Sequence, residues 1–250
     1  MNKITGLSSF FSYQKYDLVE STNELMKDLA LKSFPEGTLI HAINQSKGKG
    51  RSGKVWESQK GNLFFSVLLR PKVLNQEISQ LSFVSSLAVR QALSNITNDT
   101  RNFTLKWPND ILYKNKKISG ILLESSPCRN NNQVDWVVVG IGINIINIPD
   151  NLDYVTCLYE HGYFCELNDV LKEVGNELEQ FYNIWLLNSF DKIKKIWLRY
   201  CYPKGRKISV TVKNEKIIGK FDGITVDGSL KIKLLDNTSR VISGGEVDII

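Results

Sequence analysis

Apolar residues recur along this chain with two different periods, near four residues in some stretches and two in others, and the changes of period mark out its elements. Residues 21–32 put Leu25, Leu29 and Ala30 on one helical face, and Ser21 with Glu24 has the spacing of a capping box, so a short helix is predicted to about Lys32. Strands are predicted over 39–45 and over 62–69, where Leu63, Phe64, Phe65, Val67, Leu68 and Leu69 make an almost unbroken apolar run. Ile78, Leu81, Val84, Ala88 and Ala92 return to helical spacing and predict a central helix over 77–93. Four strands follow at 105–107, 111–113, 118–124 and 136–145, separated by polar turns that suggest hairpins. Leu171, Val174, Leu178, Phe181, Tyr182 and Trp185 then predict a helix over 168–187, and Ile193, Ile196 and Trp197 a continuation over 191–200. From Pro203 onward short alternating strands are broken by turns at 213–215, 227–228 and 236–237. The pattern therefore predicts an α+β fold, a mixed sheet with flanking helices over residues 1–200, followed by a small all-β domain over 201–250.

Composition changes this picture little. With 42% hydrophobic and 23% charged residues the chain reads as an ordinary globular protein, and its net charge of +6 suits an anionic ligand or an acidic protein partner without requiring nucleic acid. Cys128, Cys157, Cys165 and Cys201 are widely spaced, form no C-x-x-C pair and read as reduced thiols. No secretory signal is visible, and the longest apolar run, 137–148, is too short to span a bilayer. A cytoplasmic protein without a membrane anchor is expected.

Candidate chemistry concentrates in two clusters. Gly48-Lys49-Gly50-Arg51-Ser52-Gly53-Lys54 crowds three glycines and three cations into seven residues, so exposed amides and cationic side chains can converge on phosphate or carboxylate oxygens. Taken alone, a solvated basic turn explains it equally well. It satisfies G-x-G-x-x-G, but no helix begins within it, as a dinucleotide site needs; it also satisfies G-x-x-x-x-G-K, but Val55 follows where a P-loop requires a hydroxyl. The second cluster is Lys106-Trp107-Pro108-Asn109-Asp110, a turn between two strands with a cation on one side and an amide and a carboxylate on the other. By itself it is an ordinary hairpin. His41 and His161, the two histidines, have no G-x-S-x-G context and read as structural or surface groups.

Order along the chain makes these clusters specific. Glu20-Ser21-Thr22-Asn23, the basic loop between Gln45 and Trp56, Lys106-Trp107-Pro108-Asn109-Asp110-Ile111, Lys117-Ile118-Ser119-Gly120-Ile121-Leu122-Leu123-Glu124 and Val139-Gly140-Ile141-Gly142-Ile143-Asn144 resemble, in this sequence, the biotin protein ligases. Gly244-Gly245-Glu246-Val247 resembles the family's C-terminal module, so the likeness covers nearly the whole chain. It implies a class II synthetase-like biotin/lipoate ligase catalytic fold with a C-terminal SH3-like β-barrel. It also implies ATP-dependent conversion of biotin to biotinyl-5′-AMP and pyrophosphate, then transfer of the biotinyl group to one lysine of a biotin carboxyl carrier protein.

The resemblance further implies roles for particular residues. Ser21, Thr22, Asn23, Gln45, Lys49, Gly50, Arg51 and Lys106 correspond to biotin-binding positions, Lys106 and Arg51 being the catalytic pair. Trp107, Asn109, Asp110, Gly120 and Asn144 correspond to the ATP or adenylate side, and Mg²⁺ is expected through the ATP phosphates with its ligands open. The loop would close as a lid over the adenylate, with Lys49, Ser52 and Lys54 standing where the family usually carries basic residues, arginine at the two lysine positions. Only about twenty residues precede Ser21, too few for the DNA-binding domain of some members, so a monofunctional ligase with no DNA partner is expected. Oligomeric state is left open, a homodimer included. The alternatives are a lipoate- or octanoyl-protein ligase or transferase and, in a different class, a nucleic-acid binding module.

Overall fold

The computed structural model describes residues 3–126, 132–150, 152–213 and 215–250, with all their side chains except those of residues 188 and 189. Cys128 and Asn214, singled out in the sequence, lie outside the described residues. The first sheet is assembled from β1 (Ser12–Val19), β2 (Thr38–Gln45), β3 (Leu63–Leu69), β4 (Phe103–Lys106), β5 (Asp110–Tyr113), β6 (Lys116–Ser125) and β7 (Val137–Ile143). Its order is β1-β2-β3-β7-β6-β5-β4, with β1 parallel to β2 and every other pair antiparallel. It is the mixed sheet expected from the sequence, with one strand, β1, that the sequence did not announce.

Alternation along the strands sorts the two faces. Leu63, Phe65, Val67 and Leu69 on β3, with Val137, Val139, Ile141 and Ile143 on β7, face the main core, where α2 (Gln80–Thr97) and α3 (Leu167–Tyr200) pack. The intervening Leu68 and Val138 join Ile40 and Trp136 against Met26 and Ala30 of α1 (Thr22–Leu31) on the opposite face. Both faces of β3 are thus covered, which is why it reads as a continuous apolar run. α3 is one helix of 34 residues, where the sequence suggested a helix and a continuation. Trp185, Phe190, Ile193 and Trp197, all buried, carry its packing on α2 through the expected break. At α1, Ser21 is the N-cap, but its side chain makes no capping bond and Glu24 pairs instead with Lys27 and Lys49, so the capping box is not formed.

A second sheet follows α3: β8 (Lys207–Val212), β9 (Glu215–Ile224), β10 (Leu230–Lys233), β11 (Ser239–Ile242) and β12 (Glu246–Ile249), all antiparallel in the order β11-β10-β9-β8-β12. Its β9–β10 turn docks on α2 and on the turn that follows β4. Gly228, at φ +85, approaches the Phe83 ring so closely that a Cβ would lie 2.7 Å from it, and the Gly228 carbonyl accepts a hydrogen bond from Trp107 Nε1 at 2.9 Å. Gln80 Nε2 donates to the Val226 carbonyl beside it. These contacts bring the start of β12 to the mouth of the cleft described next.

Candidate functional site

Strand register builds the floor. Ala42, Phe64, Gly142, Gly120, Asp110 and Lys106 pair in one row across β2, β3, β7, β6, β5 and β4, so residues far apart in sequence stand abreast on the face that α1 covers only in part. The neighbouring row is Ile40, Ser66, Gly140 and Leu122. Glycine in both rows removes side chains where α1 and the basic loop press down. A Cβ on Gly140 would overlap Asn23, while one on Gly142 or Gly120 would come within 2.5 or 2.9 Å of the Trp56 ring. The result is a cleft of about 680 Å³, a size suited to a small organic ligand.

One wall is a buried polar network. Ser21, Thr22 and Asn23 are each 3–4% exposed at the start of α1. The Thr22 amide donates to Gln45 Oε1 at 2.8 Å, its hydroxyl donates to the same oxygen at 3.1 Å, and Gln45 Nε2 donates to Ser58 Oγ at 2.9 Å. Ser66 Oγ donates to Asn23 Oδ1 at 2.6 Å and lies 2.8 Å from Thr22 Oγ1, while Asn23 Nδ2 donates to Glu124 Oε2 at 2.9 Å. Glu124 also pairs with Lys27 at 2.8 Å. Such a network fixes neutral donors and acceptors in one orientation, because Thr22, Asn23, Gln45 and Ser66 hold one another by hydrogen bonds.

The basic loop forms the roof. The Trp56 amide donates to the Gly48 carbonyl at 3.0 Å and the Gly50 amide to the Lys54 carbonyl at 2.7 Å, closing the loop into a tight turn. Its cations have partners on three sides: Lys49 pairs with Glu24 on α1, Arg51 Nη1 donates to Asn109 Oδ1 at 2.9 Å, and Lys54 donates to Glu246 at 2.7 Å. Burial pulls the Arg51 guanidinium down from its ordinary value while Asp110 and Glu246 hold it up, so it stays charged. The hydrogen bond from Lys54, then the charges of Lys54, Arg51 and Lys106, hold the Glu246 carboxyl below its ordinary range against partial burial. The glycines differ in what they demand: Gly53 has φ +77 and Gly48 has no room for a Cβ against the Trp56 carbonyl, whereas Gly50 sits at φ −110 with its nearest outside neighbour at 3.3 Å.

All of the residues named from the resemblance line this one cleft: Ser21, Thr22, Asn23, Gln45, Lys49, Gly50, Arg51, Lys106, Trp107, Asn109, Asp110, Gly120 and Asn144. Two departures are chemical. The Trp107 indole belongs to the core, 1% exposed with its N–H bonded to Gly228, and so offers no free face to an adenine. The indole over the floor is that of Trp56, whose buried Nε1 has no partner. Asn109 turns inward, donating to the Ile121 carbonyl at 2.6 Å while receiving Arg51.

Lys117, which the sequence offered only as the start of the fourth motif and without a role, also lines the cleft. Its ammonium lies 2.6 Å from Asp110 Oδ1 and 5.4 Å from the Trp56 ring centre, with Gly120 beneath it. As one lysine in Lys114-Asn115-Lys116-Lys117 it looks like a surface turn, and only the β5–β6 register carries it over the floor.

A model of the biotin/lipoate A/B protein ligase family matches residues 16–144, and one of the biotin protein ligase C-terminal domain matches residues 205–249. The bifunctional ligase/repressor BirA of Bacillus spizizenii is 33% identical over 237 residues, 91% of this chain and 71% of the relative. The biotin–[acetyl-CoA-carboxylase] ligase of Paracoccus denitrificans is 30% identical over 78% of this chain and 83% of its own length. The structure of the biotin protein ligase from Aquifex aeolicus in complex with biotin and ATP superposes with a TM-score of 0.82 at 33% identity, covering 96% of this chain and 98% of that one. With both sheets matched at these identities, the chain belongs to the biotin/lipoate A/B protein ligase family, among its biotin protein ligases.

Proposed function

We propose that the cleft condenses biotin with ATP to biotinyl-5′-AMP and pyrophosphate, and then passes the biotinyl group to a lysine of a biotin carboxyl carrier protein. The observation that carries this reading is the row Lys106–Asp110–Gly120–Gly142, which sets cations and an empty floor beside the Thr22–Asn23–Gln45 network. Biotin's ureido ring needs fixed neutral donors and acceptors, and Ser21, Thr22, Asn23 and Gln45 supply them. Its carboxylate then points toward the cationic side, near Lys106, Lys117 and Arg51.

In the first step a carboxylate oxygen bonds to the α-phosphorus of ATP and the bond to pyrophosphate breaks, the leaving group keeping the electron pair. Two anions meet, so ammonium and guanidinium groups already in place lower the barrier more than they strengthen ground-state binding. Lys106 and Arg51 take this role, and Lys117, standing beside Asp110, joins them. Trp56 offers an aromatic face for adenine in place of Trp107, and Asn144 completes the adenylate side. In the second step the neutral amine of the carrier lysine attacks the biotinyl carbonyl, AMP leaves, and the amine's proton passes to solvent. No protein nucleophile is required. Among the described residues no group of three or more carboxylates, histidines and cysteines is arranged to hold a metal ion; Mg²⁺ would enter on the ATP phosphates, where it would offset the charge of the pyrophosphate leaving group.

Residues 1–200 form the catalytic domain in this reading and 201–250 a rim-forming module whose Glu246 meets Lys54. Among the described residues no helix is long and apolar enough to cross a membrane; the location we propose is the cytoplasm, where ATP is at hand. Pyrophosphate–ATP exchange is the test: exchange should depend on biotin. Exchange with lipoate but not biotin would transfer the protein to the lipoate ligases, and no exchange with either would refute the reading.

A further inference from the structure

We infer that Thr156 is a positioning residue for the adenylation step, holding Asn144 and Lys117 at the cleft floor without touching substrate; this rests on the function proposed above. Thr156 is 1% exposed and lies behind the floor. Its carbonyl accepts Asn144 Nδ2 at 3.2 Å, and its amide donates to the Lys117 carbonyl at 2.9 Å. Two residues earlier the Tyr154 carbonyl accepts the Lys117 amide at 2.7 Å, so the backbone that carries the Lys117 ammonium is gripped from both sides by residues 154–156. Asn144 is tied to the same strand, its amide donating to the Ile118 carbonyl at 2.9 Å.

The Thr156 hydroxyl anchors this segment from the other end. It lies 2.8 Å from Glu160 Oε2 and 2.8 Å from His161 Nε2. A hydroxyl has one proton, and an ionised carboxylate only accepts, so that proton goes to Glu160 and His161 must donate from Nε2. Burial, with Lys114 and Lys116, lowers the His161 pKa against the pull of Glu160, which favours the neutral ring. The Tyr113 ring, 4.7 Å away and edge-on, fixes the imidazole plane. A threonine wanted only for packing would be replaceable by valine. Here both hydrogen-bonding capacities of the hydroxyl are used, and they set the tilt of the peptide groups that hold Lys117 and Asn144.

The test is biotin-dependent pyrophosphate exchange, normalised to active sites counted from the adenylate burst, for Thr156→Val, Thr156→Ser and the double variant Glu160→Ala/His161→Ala. Thr156→Val and the double variant should each lose about tenfold in kcat, with KM for biotin changed by less than about twofold, while Thr156→Ser stays close to the unmodified protein. A purely structural role would lower the melting temperature and the number of active sites, but not the rate per site. Full rate per site in Thr156→Val, or equal damage by Thr156→Ser, overturns the inference. Should Thr156→Val not fold, the double variant decides, because its two side chains lie nearer solvent; a normal rate there overturns it as well. Absence of biotin-dependent exchange in the unmodified protein would sink the proposed function itself, a result distinct from exchange that is indifferent to Thr156.

Discussion

Gly140→Ala should damage biotin binding far more than its single methyl suggests. The backbone tolerates alanine there, since Gly140 has no positive φ, but the new Cβ would overlap Asn23 Oδ1. Restoring an ordinary contact needs a shift on the order of 1 Å. Asn23 cannot yield that distance and keep its bonds to Ser66 at 2.6 Å and Glu124 at 2.9 Å. Losing one ordinary bond and one to a carboxylate costs about 2–4 kcal/mol, on the order of thirtyfold to a thousandfold in affinity if it falls on the bound state. Gly142→Ala is the control: its Cβ meets Trp56, a loop side chain that can swing aside, so the effect should fall on ATP rather than on biotin. Titration calorimetry with biotin, alongside thermal melting, separates the two. Biotin affinity within about twofold of the unmodified protein, at an unchanged melting temperature, would show that the Asn23 network does not form the biotin wall.

Lys106→Ala and Lys117→Ala should each slow single-turnover adenylate formation by about a hundredfold to a thousandfold while weakening biotin binding much less; near-normal adenylation in either variant removes that lysine from the chemistry. Gly48→Ala should loosen the roof and weaken the ligand-induced protection of Lys49, Arg51 and Lys54 from trypsin, whereas Gly50→Ala, which has an ordinary φ and a Cβ that would press on the Lys54 carbonyl at 3.3 Å without overlapping it, should do less. Equal protection in both variants would mean that Gly48 does not shape the lid. Acid should destabilise the fold through His41, whose pKa burial, helped by Lys15, lowers from 6.5 to about 4. Between those values the unfolded chain binds more protons than the folded one, so stability falls as pH drops through this window, by about 2 kcal/mol from pH 7 to pH 5. Urea unfolding of His41→Gln should lack that increment; an unchanged pH dependence would count against the buried neutral ring.

Much of this arrangement was legible before the structure, because its signals are local. Short apolar runs marked β2, β3 and β7, and the order of the glycine and Lys-Trp-Pro-Asn-Asp motifs pointed to one cleft, where the residues were then found. What stayed hidden depends on partners distant in sequence. β1 is an edge strand with half-exposed polar positions, so it lacks the apolar signature, and its parallel pairing to β2 supplies what its composition does not. The expected capping box gave way to a longer-range competitor, Gln45 taking the Thr22 amide and Lys49 taking Glu24. Lys117, Trp56 and Glu124 acquire their places only through strand register and loop closure, which no periodicity reports.

The most direct measurement of the central claim follows both half-reactions in one tube. The protein is incubated with biotin and ATP labelled on the α-phosphate, freed of excess nucleotide, and mixed with a biotin carboxyl carrier domain. The account predicts one labelled biotinyl-AMP per active site, discharged as AMP in step with biotinylation of a single carrier lysine. Labelled adenylate that forms without biotin, or that persists while the carrier remains unmodified, would contradict it.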